Sequence, residues 1–286
     1  AMVLVTPKWE VDVATLVANP APFDIVAVGT TTQTADRIDA LAKAGFVVQP
    51  LRLDRNAGQS DADVVLRAAL ELLEMVQTQL RSKKTLRVLV VLPVDDALAR
   101  SLSPLIHSVA AEHPKLTVRV VESDNADFAP LITREVAVDG AEDIRMSTGG
   151  IRQVRRFSPV ATDAPQKNNP WRADGVYWIT GGVGALGQIL ARHLMAQGAG
   201  HVVLSGRSIP KVDLLDGTSF LQCDITNSEA AYATRTRIEH DFGPLCGVFH
   251  AAGLLRDGLG ATKSADDFTA VFAPKAVGLI ALDAAT

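Results

Sequence analysis

The sequence predicts an α/β protein built from two Rossmann-like parallel-sheet units, the first degenerate and the second carrying a dinucleotide loop. Three observations lead there. Apolar strand-like runs alternate with helical patterns over roughly 25-residue steps, the signature of parallel strands joined by right-handed crossovers. Gly182, Gly184 and Gly187 stand in G-x-G-x-x-G spacing between a strand-like run and a helical one. Ser158–Arg172, SPVATDAPQKNNPWR, is rich in Pro, Asn and Asp and lacks apolar period, so it reads as a linker between a domain at 1–157 and another at 173–286.

Taken in order, Val3-Leu4-Val5 and the Pro/Trp-bearing passage after it suggest an opening strand and loop. Asp24–Gly29 reads as a strand, Thr34–Ala44 as a helix with Ile38, Leu41 and Ala42 inward, and Gly45 as its stop. Phe46-Val47-Val48 is the next strand. Asp61–Arg81 is the longest helix, its stripe being Val64, Val65, Ala68, Leu72, Met75, Val76 and Leu80. Leu86–Leu92, a helix over Asp95–Glu112 and a strand over Leu116–Val121 continue the alternation. No glycine loop follows Gly29; Thr30-Thr31-Thr32-Gln33 reads as a helix cap, with no phosphate cradle, so this half is expected to bind no nucleotide. Asp143–Met146 and Ile151–Phe157 flank Ser147-Thr148-Gly149-Gly150, a hairpin signal.

In the second half, Val176–Ile179 suits a strand buried on both faces. The glycines that follow allow a tight turn, close approach to a pyrophosphate and close helix–strand packing. The helix Gln188–Gln197 offers its free N–H groups to an anion, and Leu186, Ile189, Leu190, His193 and Leu194 are expected to face the sheet. His201–Leu204 is the next strand. Arg207 follows it, where an arginine accommodates the 2′-phosphate of NADP and an acidic residue would favour NAD. Phe220–Ile225 is a strand holding Asp224, Ser228–Phe242 a helix, and Cys246–Gly253 a strand ending in small residues that allow a ligand close. A helix over Asp266–Phe272 is expected to break at Pro274.

Composition narrows the classes. Apolar residues make up 48% and the net charge is −4, which gives no reason to expect nucleic acid or a membrane surface as partner. Arg152, Arg155 and Arg156 read as an exposed strand face. Cys223 and Cys246 lack metal-ligand spacing and read as buried free thiols of a reducing, cytoplasmic compartment, with no metal. No apolar stretch of membrane-spanning length and no signal start stand out. Ala1-Met2 resembles a cloning remnant.

The motifs together resemble a known family. TGGVGALG at 180–187, SGRS at 205–208, CDIT at 223–226, FHAAG at 249–253 and FAPKAVG at 272–278 are similar to the short-chain dehydrogenase/reductases, and most of all to the ketoreductase domains of modular polyketide synthases. EHPKLTVRVVES at 112–123, APLITREV at 129–136 and IRMSTGGIRQVRRFSP at 144–159 resemble the non-catalytic structural subdomain of those domains. The resemblance implies an NADPH-dependent reduction of a β-ketoacyl thioester, carried on the phosphopantetheine of an acyl carrier protein among neighbouring synthase domains, to the 3-hydroxyacyl product.

It also implies roles. Thr180, Gly182, Val183, Gly184, Leu186 and Gly187 would serve the pyrophosphate and nicotinamide side, with Ser205 beside them. Arg207 would hold the 2′-phosphate, Asp224 and Ile225 the adenine, and Ala251, Ala252 and Gly253 the ribose. Lys275, in the Ala-Pro-Lys motif, would be the catalytic lysine, lowering a tyrosine's pKa by its charge. In Leu254-Leu255-Arg256-Asp257, Asp257 matches the last residue of a Leu-Asp-Asp stereocontrol motif tied to the D-configured alcohol, while Arg256 departs from it. The family's serine and tyrosine are expected beyond Thr286, so the catalytic unit is expected to be incomplete and inactive alone. The alternative is a non-catalytic scaffold, a pseudo-ketoreductase, against which the intact loop, Arg207 and Lys275 argue.

Overall fold

The computed structural model describes residues 5–12, 16, 22–82, 85–124, 128–138, 143–147, 149–160, 171–210 and 214–286. Most of the expected linker, the turn residue Thr148 and the opening Val3-Leu4 lie outside them. The chain divides into two compact units, residues 1–163 with 258–263 and residues 164–257 with 264–286.

Unit 1 runs β1 (Val5–Val11), β2 (Asp24–Gly29), α1 (Thr31–Lys43), β3 (Val48–Arg52), α2 (Asp61–Arg81), β4 (Leu86–Leu92), α3 (Ala97–Arg100), α4 (Ser103–Glu112), β5 (Leu116–Ser123), α5 (Phe128–Glu135), β6 (Ile144–Met146) and β7 (Arg152–Pro159). Its sheet has the order β1-β7-β6-β5-β4-β2-β3, with β2 to β6 parallel, β7 antiparallel to β6, and β1 antiparallel to β7. The Pro7/Trp9 passage is thus edge strand and not loop; a proline is tolerated there because an edge leaves one N–H unpaired. Ile25, Leu41, Leu89, Val121 and Ile132 close the core.

Several boundaries differ from expectation for local reasons. α1 starts at Thr31 because Thr30 and Gln33 form a capping box, and Asp54 accepts the Thr31 N–H and hydroxyl at 2.9 and 2.5 Å. Those bonds also hold the Asp54 carboxyl below the usual range. β3 starts at Val48, leaving Val47 exposed, and Ala42 is exposed as well. The helix expected over Asp95–Glu112 is two, since Asp95 has φ 58° and Pro104 sits at the start of α4. Arg152 is buried, not on an exposed face: it pairs with Glu135 and Asp12, and Glu135 also faces the fully buried Arg119. A buried guanidinium is tolerable only when paired in this way.

Unit 2 runs β8 (Val176–Thr180), α6 (Ala185–Ala196), β9 (His201–Gly206), β10 (Thr218–Gln222), α7 (Ser228–Phe242), β11 (Leu245–His250) and α8 (Ala265–Ala285). Its strands are parallel in the order β10-β9-β8-β11. Alternation along β8 sends Tyr177 and Ile179 to the face holding Ala191 and Leu194 of α6. Val176 and Trp178 point to the opposite face, with Ile238 of α7 and Leu282 of α8. Burial on both faces is what the apolar β8 requires.

Four expectations fail here. α6 begins three residues early, so Gly187 lies inside it. Leu186, 74% exposed, Ile189 and His193 do not face the sheet; Gly187, Ala191 and Leu194 do. α8 is unbroken through Pro274, its last two turns held by the buried Gly278, Ala281, Leu282 and Ala285. That helix is also long and apolar enough to cross a membrane by length and composition, although its buried residues belong to the unit's core. Cys246 is exposed, while Cys223 is buried.

Candidate functional site

The carboxyl ends of parallel strands leave a crevice where loops diverge, and ligands of doubly wound sheets bind there. In unit 2 all four strands open into one cleft of about 430 Å³, within the size range of cofactor sites. β8 contributes Thr180, Gly181, Val183 and Gly184. β9 contributes Ser205, Gly206, Arg207 and Ser208, and the segment after β10 contributes Cys223, Asp224, Ile225 and Thr226. The segment after β11 supplies Ala251 to Leu254, and α8 supplies Ala270, Ala273 and Pro274.

The glycine loop is held by backbone contact. Gly182 N–H donates to Ser205 C=O at 3.0 Å, tying the loop to β9, and Gly184 N–H donates to Gly181 C=O at 3.0 Å. Gly181 has φ +66°, and a Cβ there would stand 2.6 Å from Ala252 Cα. A Cβ on Gly187 would stand 2.5 Å from Gly182 Cα, so the first turn of α6 lies directly on the loop. Gly184 caps α6 without any side-chain hydrogen bond, and no acidic residue occupies the first turn. The leading N–H groups are therefore available to an anion, in contrast to α1, where Gln33 and Asp54 engage them.

Arg207 is exposed at the end of β9, and among the described residues its guanidinium has no carboxylate partner. The Asp224 Oδ1 accepts from Thr226 N–H at 3.0 Å and from its hydroxyl at 2.8 Å, which fixes the carboxylate. Cys223 stands beside it; burial, opposed by a bond from Thr234, pushes its thiol pKa up. Trp178 Nε1 donates to Ser205 Oγ at 2.8 Å in the sheet interior. An uncapped helix start, a glycine loop that admits close approach and a free cation after the second strand fit a nicotinamide adenine dinucleotide.

Other expected residues stand apart. Gly182 and Gly187 support the loop from behind, and Leu186 and Asp257 are exposed outside the lining. Lys275 is exposed on α8, next to the lining residue Pro274 but not itself in the lining. Tyr177 is buried, its hydroxyl accepting Arg172 N–H at 2.9 Å, and Tyr232 is exposed on α7, so neither tyrosine reaches the cleft. Sequence reasoning missed Gly181, whose position in a Gly-Gly pair was its signal, and the α8 wall of Ala270, Ala273 and Pro274, which only the tertiary fold brings in. Among the described residues no cluster of His, Cys, Asp or Glu could hold a metal.

Comparison with known proteins agrees with this geometry. Residues 175–286 match the family model of the KR domain. The chain is 31% identical over 236 residues to polyketide synthase PksN of Bacillus subtilis, covering 76% of this chain and 4% of that one. It is 32% identical over 202 residues to a phenolphthiocerol/phthiocerol polyketide synthase of Mycobacterium tuberculosis, covering 66% and 11%. The chain therefore spans only a small part of these relatives. Among solved structures, a ketoreductase domain from the bacillaene assembly line superposes with a TM-score of 0.77 at 22% identity, over 98% of this chain and 70% of that one. An A-type ketoreductase from a modular polyketide synthase gives 0.72 at 20%, over 98% and 70%.

Proposed function

Residues 175–286 belong to the KR domain family, the ketoreductase domains of polyketide synthases, and we propose that this chain binds NADPH in the cleft of unit 2 for reduction of a β-ketoacyl thioester held by an acyl carrier protein. The observation that carries the reading is the cleft itself, with an uncapped helix start on one side and Arg207 on the other. Domains of this family are oxidoreductases of the short-chain dehydrogenase/reductase type and use a nicotinamide cofactor. When bound, that cofactor supplies a hydride to the β-carbon.

The chain's own residues bind and orient. The first N–H groups of α6 and the glycine loop would take the pyrophosphate. Arg207 would take the 2′-phosphate by charge-assisted hydrogen bonds, and Asp224 the adenine edge. Ala251 to Gly253 are small enough to admit the ribose. Lys275 would act from the α8 wall, holding a ribose hydroxyl and biasing a nearby acid by its charge. Asp257 would favour entry of the substrate from the side that gives the D-configured alcohol.

A second reading is a cofactor-binding scaffold without turnover. One assay separates the two. NADPH consumption at 340 nm is followed with a β-ketoacyl thioester in the natural polypeptide that carries these residues. Formation of the D-3-hydroxyacyl thioester supports the ketoreductase. Binding of NADPH without turnover supports the scaffold, and an L-alcohol counts against Asp257.

A further inference from the structure

The cleft's α8 wall is attached to the glycine loop through one side chain. His250, the last residue of β11, lies beside Thr180, the last residue of β8, in the parallel register. Its Nδ1 is 2.7 Å from Thr180 Oγ1 and its Nε2 is 2.8 Å from the carbonyl oxygen of Pro274. The ring also packs on α8 at Gly278, where a Cβ would stand 3.7 Å from His250 Cε1. Thr180 Oγ1 in turn accepts Ala252 N–H at 3.4 Å. Three parts of the lining thus meet at His250: the loop start, the Ala251–Gly253 segment and the helix.

The donors and acceptors fix the arrangement. A carbonyl only accepts, so Nε2 carries the hydrogen. In the neutral ring Nδ1 is then an acceptor, and the Thr180 hydroxyl donates to it while its oxygen takes the Ala252 N–H. Every group in the chain from Ala252 N–H through Thr180 and His250 to Pro274 C=O is satisfied in one direction. Pro274 matters because it has no N–H to give its own helix, so the carbonyl of Ala270 loses its partner and the turn is weakened at the wall. A side chain that grips Pro274 from the sheet offsets that weakness.

We propose that His250 is a positioning residue for the cofactor: as the neutral Nε2–H tautomer it ties Thr180 to Pro274 and holds Ala270, Ala273 and the adjoining Lys275 at the cleft. This rests on the reading of the cleft as the NADPH site. His250→Phe keeps the ring's bulk and loses both bonds; His250→Gln carries a donor and an acceptor on one amide and can restore them.

The test has two readouts on the 286-residue chain. In long-range proton–nitrogen spectra of the ¹⁵N-labelled wild type, with His250 assigned through bonds, the ring should show the Nε2–H tautomer at neutral pH. NADPH affinity, by fluorescence titration, should fall about tenfold in His250→Phe, the effect of losing one to two hydrogen bonds, and recover most of that in His250→Gln. A wild type with the Nδ1–H tautomer would overturn the proposal without any variant having to fold. Equal affinity of wild type and His250→Phe, or no recovery in His250→Gln, would do the same while leaving the cofactor reading intact. A wild type that does not bind NADPH at all would instead overturn the cofactor reading.

Discussion

Replacing Gly181 by alanine tests how the cleft is held together. At φ +66° an alanine costs roughly 1–2 kcal/mol in backbone conformation alone. Its Cβ would then meet Ala252 Cα at 2.6 Å, Ala251 O at 2.7 Å and Ala252 N at 2.7 Å, all backbone atoms that cannot rotate away. Relieving such overpacking costs about 1–3 kcal/mol more, so the total is about 2–5 kcal/mol out of a usual domain stability of about 5–15 kcal/mol. Gly198 is the matched control: it has φ +88° and nothing within 4 Å of an added Cβ, so Gly198→Ala should carry only the backbone part. The assay is urea unfolding of the two variants followed by tryptophan fluorescence, to which Trp171 and Trp178 of unit 2 contribute, together with NADPH titration. Gly181→Ala should be the less stable by about 1–3 kcal/mol and should bind NADPH at least tenfold more weakly, while Gly198→Ala binds normally. Equal stability and equal affinity of the two variants would refute the claim that the glycine loop rests on the segment after β11.

Two further outcomes follow from the same structure. Glu135→Ala removes the carboxylate shared by the fully buried Arg119 and by Arg152, and should destabilise unit 1 by about 3–5 kcal/mol in urea unfolding; a loss under about 1 kcal/mol would mean the network is solvated. Iodoacetamide should label the exposed Cys246 well before Cys223, because burial raises the Cys223 thiol pKa and keeps it protonated at pH 8. Raising the pH should speed its labelling, and NADPH should slow it, which peptide mass spectrometry reads directly.

How much of this was legible in the sequence depended on whether the signal was local. α2 and α7 fall where periodicity placed them, because Ser60 and Asn227 cap them with their own side chains. β4 is apolar at every position but Arg87, and its Val-rich run from Val88 to Leu92 suits a strand buried on both faces. Arg207 and Asp224 were recognisable because each follows a strand that feeds the cleft. The misses depended on partners distant in sequence. Leu186 and Ile189 carry the helical period, but which face of α6 touches the sheet was decided by Gly187 lying against Gly182. Arg152 looked exposed because its partners, Glu135 and Asp12, are far along the chain. Pro274 signalled a break, yet packing of the following turns kept α8 whole and brought the helix to the cleft.

Titration of NADPH against NADH, on the wild type and on Arg207→Ala, bears most directly on the central claim that the cleft of unit 2 is an NADPH site. The wild type should prefer NADPH, and Arg207→Ala should weaken NADPH about 30-fold, close to 2 kcal/mol for one charge-assisted contact, with NADH almost unchanged. Equal affinity of the wild type for both cofactors, or a loss in Arg207→Ala that is the same for both, would contradict it.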